Sequence, residues 1–127
     1  MSFCALLLLV KMVITFVLIA LPLIFAPHAI LEKLWRQPAP ELLFRLYGIA
    51  LMALIVGYGL AYVAHNRGDD VSWVFPIAIV SNGGAALAIA WLTRGMVRAL
   101  GGGFFGIMAL GFAAAWAWPA SLMQPLW

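Results

Sequence analysis

Four long apolar stretches, separated by short polar segments, dominate the pattern of the sequence. They cover residues 5–27, 42–64, 71–93 and 99–118. Each holds about the 20 residues that a helix needs to cross the hydrocarbon core of a bilayer. The stretches are apolar on all sides, so their periodicity is uninformative, but their length predicts helices rather than strands. We therefore predict an all-α integral membrane protein, a four-transmembrane-helix bundle that forms a single membrane domain over residues 1–127.

The connections between the apolar stretches are short, and the first one contains a segment of mixed character. The apolar residues of segment 29–36 share one helical face: Ile30, Leu31, Leu34 and Trp35. Charged residues occupy the rest of this segment, a pattern typical of a short helix in the headgroup layer. The second connection, 65–70, is predicted to be a polar turn, and the third, 94–98, a tight basic turn.

The composition supports a membrane location. The chain is 67% hydrophobic and 9% charged, whereas ordinary soluble domains are about 45–50% apolar and about 25% charged. The alternative, a fully buried subunit of a soluble complex, would have to hide the same surface against protein. The net charge of +3 is not gathered into a basic stripe, so we expect membrane lipids and no nucleic acid as partners.

Lysine and arginine residues are distributed unequally between the two predicted sides of the membrane. The side that holds the first and third loops carries five of them: Lys33, Arg36, Arg45, Arg94 and Arg98. The opposite side carries Arg67, and Lys11 if it reaches the surface. Because cytoplasmic loops are enriched in these residues, we expect loops 1 and 3 to be cytoplasmic.

Lys11 is the first polar candidate site, because it interrupts the first apolar stretch. A charge at depth in the bilayer is costly and often functional. The favoured alternative is that its long stem carries the ammonium back to the headgroups. The same lysine argues against a cleavable signal peptide, whose apolar region would be uninterrupted.

Ser81 and Asn82 form the second polar candidate, near the middle of the third stretch. An unpaired amide costs several kcal/mol in hydrocarbon, so Asn82 should face protein or water. Ala78, Ala86 and Ala90 share its helical face. We therefore expect the Asn82 amide to hydrogen-bond across a helix contact; the functional alternative is a ligand to a substrate or an ion.

Small residues along the predicted helices suggest positions of close helix approach. These helix-packing positions are Ala53, Gly57, Gly84, Gly102 and Gly106. The last two form a small-xxx-small pair, and a phosphate-binding loop is not supported around them, because no strand precedes and no Lys-Ser/Thr follows.

Tyr58 and Tyr62 lie one helical turn apart near the predicted outer end of the second stretch. They fit aromatic belts at the two membrane surfaces. The other members are Trp73, Trp116, Trp118 and Trp127 near the same predicted surface, and Trp35 and Trp91 near the opposite one. A quinone or pigment site is the alternative use of such rings.

Reactive side chains are scarce. Cys4 is the single cysteine, so no intrachain disulfide or cysteine-based metal site is possible. His28 and His65 fall on opposite predicted sides and cannot share a metal or haem. We therefore expect no catalytic residues, no metal site, no cofactor and no enzymatic activity.

Two stretches resemble a known group of proteins. Residues 44–51 and the pair Gly57-Tyr58 carry an Arg-Leu-x-Gly…Gly-Tyr pattern that resembles small bacterial four-helix membrane proteins called DoxX-like. Residues 73–80 are similar to their third helix. Those proteins often have a lysine after the third-helix glycines, whereas Ala85 stands here. The resemblance implies a four-helix architecture in the inner membrane of a bacterium, and no activity.

These observations favour a non-catalytic membrane scaffold or accessory subunit, either a homo-oligomer or a part of a larger membrane complex. The alternative is a small oligomeric transporter or channel. Its pathway would use Asn82, Lys11 or Tyr58.

Overall fold

The structure, a computed structural model, describes residues 2–35 and 39–118, and their regular structure is helical. We number the helices α1 (Phe3–Phe25), α2 (His28–Trp35), α3 (Glu41–Asn66), α4 (Val74–Leu92) and α5 (Arg98–Ala117). All except α2 are long and apolar enough to cross a membrane. The predicted all-α bundle of four spanning helices is therefore confirmed.

The helix ends differ from the predicted ones by a few residues. The third span begins at Val74 instead of Val71, because residues 71–73 form a turn. Asp70 stabilises that turn by accepting hydrogen bonds from the backbone N–H (2.9 Å) and the hydroxyl (2.8 Å) of Ser72. These bonds lower the pKa of the exposed Asp70 carboxyl. The predicted headgroup-layer helix corresponds to α2; its predicted last residue, 36, and the belt residue Trp127 lie outside the described residues.

Helix α1 is continuous but widens in its middle. Residues Thr15–Ala20 form a π-helical segment between the α-helical parts Phe3–Ile14 and Leu21–Phe25. The widened turn ends two residues before Pro22, which has no N–H to donate and whose ring crowds the carbonyl four residues earlier. The irregularity of α1 therefore lies just before Pro22.

Arg45 closes the C-terminal end of α1. Its Nη1 donates hydrogen bonds to the carbonyls of Leu23 (3.0 Å) and Ile24 (2.6 Å), and its Nη2 donates to Glu41 (2.7 Å). The last carbonyls of a helix have no partner within that helix, and a guanidinium is a strong donor to them. Arg45 is thus a structural residue that joins α1 to α3.

The spanning helices are arranged in the order α3, α1, α5, α4. Helix α1 packs against both α3 and α5, and α4 packs most extensively on α5. Among neighbouring helices, α3 and α4 make the least extensive contact. One core cluster includes Leu8, Tyr58 and Phe112, and a second, nearer the first loop, includes Leu23 and Phe44. The bundle therefore has a loosely packed seam between α3 and α4, which we call the α3–α4 seam.

Among the described glycines, Gly48 leaves the least space for a side chain. A Cβ atom on Gly48 would lie 2.7 Å from Cγ1 of Ile24 and 3.1 Å from Cβ of Leu23. Gly111 is similarly tight, with Cδ2 of Leu7 at 3.0 Å from its Cβ position. Neither glycine was among the predicted packing positions.

The predicted packing positions are mostly not contacts among the described residues. Gly102 is one, because its Cβ position lies 3.7 Å from Ile89. Gly57, Gly84 and Gly106 have no atom of the described residues within 4 Å of the position that a Cβ atom would take, and Ala53 is exposed. These four positions are therefore not contacts within the described part of the chain, because small size alone does not say which helix face meets a neighbour; packing against another chain stays a prediction.

Gly48→Ala should destabilise the protein, whereas Gly57→Ala should not. The first change forces a methyl group into α1, which typically costs about 1–3 kcal/mol. The second meets open space and removes a helix glycine, which should stabilise by roughly 0.5 kcal/mol. Unfolding of both variants in a detergent titration checks the difference. Equal stability of the two variants would contradict the α1–α3 contact.

Candidate functional site

Lys11 points into the bundle. Its side chain is 3% exposed, and Nζ lies 4.3 Å from the ring centroid of Phe105 and 5.4 Å from that of Phe104. At about 1.5 Å per residue, Lys11 lies roughly 12 Å along α1 from Phe3. The expected return of its ammonium to the headgroups is therefore not what the structure contains. Two aromatic faces on α5 hold the ammonium instead.

A cavity of about 400 Å³ lies beside Lys11, with all four spanning helices in its wall. Its polar lining residues are Lys11, Thr15, Tyr47, Tyr58 and Ser81. Its other lining residues are apolar or glycine: Leu51, Leu54, Gly84, Ala85, Ala88 and Phe105. We call this space the Lys11 cavity.

Helical spacing explains how the polar groups meet. Lys11 and Thr15 are one turn apart on α1, and Tyr47 and Tyr58 are eleven residues apart on α3, so each pair shares a face. Ser81 lies near the middle of α4. The Lys11 cavity thus collects one face from each of these helices.

Tyr58 and Ser81 form a hydroxyl pair across the α3–α4 seam. Their oxygens are 2.9 Å apart, and Ser81 Oγ also lies 3.3 Å from the carbonyl of Ala78, to which it can donate. The Tyr58 ring is stacked on Phe112 with 6.1 Å between centroids. Tyr58 is 2% exposed. The interpretation of Tyr58 as a belt residue is therefore wrong, because its hydroxyl is engaged inside the bundle.

Asn82 lies behind this wall. Its side chain is fully buried, and Nδ2 donates to the carbonyl of Ala78 (2.7 Å) on the same helix. Its Oδ1 has no hydrogen-bond partner among the described residues, although the amide is close to the Tyr58 hydroxyl. The amide therefore makes a hydrogen bond within α4 and also interacts with the Tyr58 hydroxyl across the α3–α4 contact. Asn82 supports the site from behind and does not line it.

Thr15 is a site residue that sequence reasoning missed. It is 1% exposed, lines the Lys11 cavity, and its hydroxyl has no hydrogen-bond partner in the described part of the chain. Thr15 lies four residues after Lys11, and this spacing could have identified it as part of the same helix face. Tyr47 could have been identified in the same way from its spacing to Tyr58. Nothing in the sequence distinguishes Phe104 and Phe105, because any apolar residue suits a membrane helix.

The charge of the site is one-sided. The cavity is lined by the Lys11 amine and by serine, threonine and tyrosine residues, but by no carboxylate. Within residues 2–35 and 39–118, no carboxylate lies within ion-pair distance of Lys11 and no cluster of His, Cys, Asp or Glu is arranged to hold a metal ion. The cavity is therefore suited to a group that accepts hydrogen bonds or carries negative charge.

Comparison with protein-family models, with curated proteins and with solved structures finds no match for this chain. The resemblance to DoxX-like proteins stays a prediction, and the site is interpreted from its own geometry.

Lys11→Met should stabilise the ligand-free protein by about 1 kcal/mol. A lysine at the centre of a spanning helix costs roughly 2.5–3.5 kcal/mol, and desolvated contacts with aromatic rings return about 2 kcal/mol. Methionine keeps the stem without the charge. The free energy of unfolding checks this, with Lys33→Met, at an exposed position of α2, as the control that should change little. If Lys11→Met had a lower free energy of unfolding than the unaltered protein, the idea that the buried charge lacks sufficient compensation would be contradicted.

Proposed function

We propose that the protein is a small membrane carrier or receptor that binds an organic anion inside the bilayer, in the Lys11 cavity. The observation that carries this proposal is the Lys11 ammonium, buried in a spanning helix beside a cavity and without a carboxylate partner in the described residues. The proposal is a version of the transporter alternative in which the polar residues form a ligand-binding site.

Electrostatics favour an anionic ligand. In an environment of low polarity an ammonium gains strongly from an opposite charge, about 4 kcal/mol for two charges 4 Å apart at an effective dielectric constant of 20. The aromatic rings of Phe104 and Phe105 stabilise the ammonium but accept no conventional hydrogen bond. A carboxylate would supply both the charge and the acceptors.

The neighbouring hydroxyls suit the same ligand. The Thr15 hydroxyl lines the cavity and has no hydrogen-bond partner in the described part of the chain, so it can donate to an anion. The hydroxyl pair adds a polar wall beside it, with Ser81 donating to the Ala78 carbonyl and Tyr58 donating to Ser81 Oγ. Together with Lys11 they converge on one end of a largely apolar space. A pocket of several hundred Å³ with a few convergent polar groups is typical of small-molecule sites.

The binding test uses the purified protein in nanodiscs and radiolabelled hexanoate, a water-soluble carboxylate. We expect saturable binding that Lys11→Met weakens by at least roughly 30-fold, because removing one partner of a buried charge pair costs about 2 kcal/mol or more. Lys33→Met, an exposed lysine, should bind like the unaltered protein. Unlabelled hexanamide should compete poorly. Equal binding by Lys11→Met and the unaltered protein would sink the proposal.

The second candidate function is the scaffold or accessory subunit. It is favoured by Ala53 and Gly57, small residues one turn apart on α3 that no neighbour among the described residues covers. Such residues permit close contact with another membrane helix. Native mass spectrometry of the protein, extracted gently from its own membrane, should then show a homo-oligomer or a complex with other chains. A monomer that retains a small acid would favour the carrier instead.

A further inference from the structure

We infer that the ligand is a single-chain amphiphile, a medium-chain carboxylate that enters from the bilayer through the α3–α4 seam and lays its tail in a second cavity. This rests on the proposed function, and it adds the ligand's shape, its direction in the site and its route of access.

The second cavity continues the first. It has a volume of about 220 Å³ and lies at the end of the bundle nearest the first loop. Tyr47 and Ala88 line both cavities. Apolar side chains form most of its wall: Leu23, Phe44, Ile89 and Leu92. We call it the tail cavity, because it offers hydrocarbon contacts at the point where the polar groups end.

The two cavities together define a ligand with one polar end. Ser81 marks the polar end and Leu92 the apolar end on α4, eleven residues or about 16 Å apart at 1.5 Å per residue. An extended alkyl chain fits that length, whereas a compact anion such as phosphate would leave the tail cavity empty. The carboxylate is placed at Lys11 and the chain runs toward Leu92.

The junction of the two cavities faces the lipid. Tyr47 is 46% exposed, and Gly84 and Ala88 are exposed, although all three lie within spanning helices. Because Gly84 and Ala88 are small, the α4 side of the junction does not block access from the lipid. In addition, α3 and α4 make the least extensive contact among the neighbouring helices of the bundle. A lipid-soluble molecule can therefore reach Lys11 from the hydrocarbon region, without passing through the loops.

Photo-crosslinking in nanodiscs tests the direction of the tail. The probe is dodecanoic acid with a diazirine at the chain end. Peptide mapping should place the crosslinks at the tail cavity, on Phe44, Ile89 or Leu92. Lys11→Met should reduce them at least roughly 30-fold, and Lys33→Met should leave them unchanged.

Two variants on α4 test the route and the junction. Ala88→Phe fills the space shared by the cavities and should reduce the crosslinks at the tail cavity at least roughly tenfold, since a filled site must distort to admit the chain. The control is Leu87→Phe, whose side chain faces the lipid and which should behave like the unaltered protein. Equal labelling of the two variants would overturn the inferred path.

The outcomes separate the two proposals. Crosslinks that depend on Lys11 but map to the opposite end of the bundle, near Phe3 or Tyr62, would overturn the inference and leave anion binding intact. Labelling that is the same with and without Lys11, together with absent hexanoate binding, would overturn the proposed function itself.

Discussion

The rest of the site depends on one constraint: an ammonium buried within a spanning helix has to be stabilised by protein, since hydrocarbon offers it neither hydrogen-bond acceptors nor opposite charge. The faces of Phe104 and Phe105 meet that need in part, because the electron-rich faces of aromatic rings attract cations. No hydrogen bond satisfies the ammonium within the described residues. Under the proposed function, this incomplete stabilisation beside a cavity is the basis of ligand recognition.

The packing of the bundle decides where the cavity lies. Helix α1 is held in place on α3 by the glycine contact at Gly48 and by the Arg45 guanidinium on the carbonyls of Leu23 and Ile24. On its other side α1 packs against α5, and α5 packs against α4. Both fixed contacts are made away from the α3–α4 seam, so α3 and α4 are positioned without packing closely on each other. The space between them is thus a result of strong contacts elsewhere.

The sequence predicts the spanning helices well, because hydrocarbon thickness sets their length and water-exposed loops must be polar. It predicts Lys11, Tyr58 and Ser81 as candidates because polar residues stand out in apolar stretches. It does not predict that they meet, since helices that are apolar on all sides carry no signal for which face turns inward. The same lack of a signal explains why Gly57 was expected at a contact and Gly48 was not. Only the helix arrangement distinguishes them.

The choice between a scaffold and a carrier turns on what Lys11 contributes to the fold. Methionine or leucine at this position would pack against Phe105 as well and would carry no cost of burying a charge. The amide oxygen of Asn82, buried without a partner among the described residues, lies behind the cavity wall and gains nothing from a ligand. The hydroxyl of Thr15, also unpaired among the described residues, lines the cavity and adds to the cost of the buried charge. Neither the ammonium nor this hydroxyl would stabilise a scaffold. Under the proposed function, a ligand with a charged, hydrogen-bonding end would stabilise both groups when it binds.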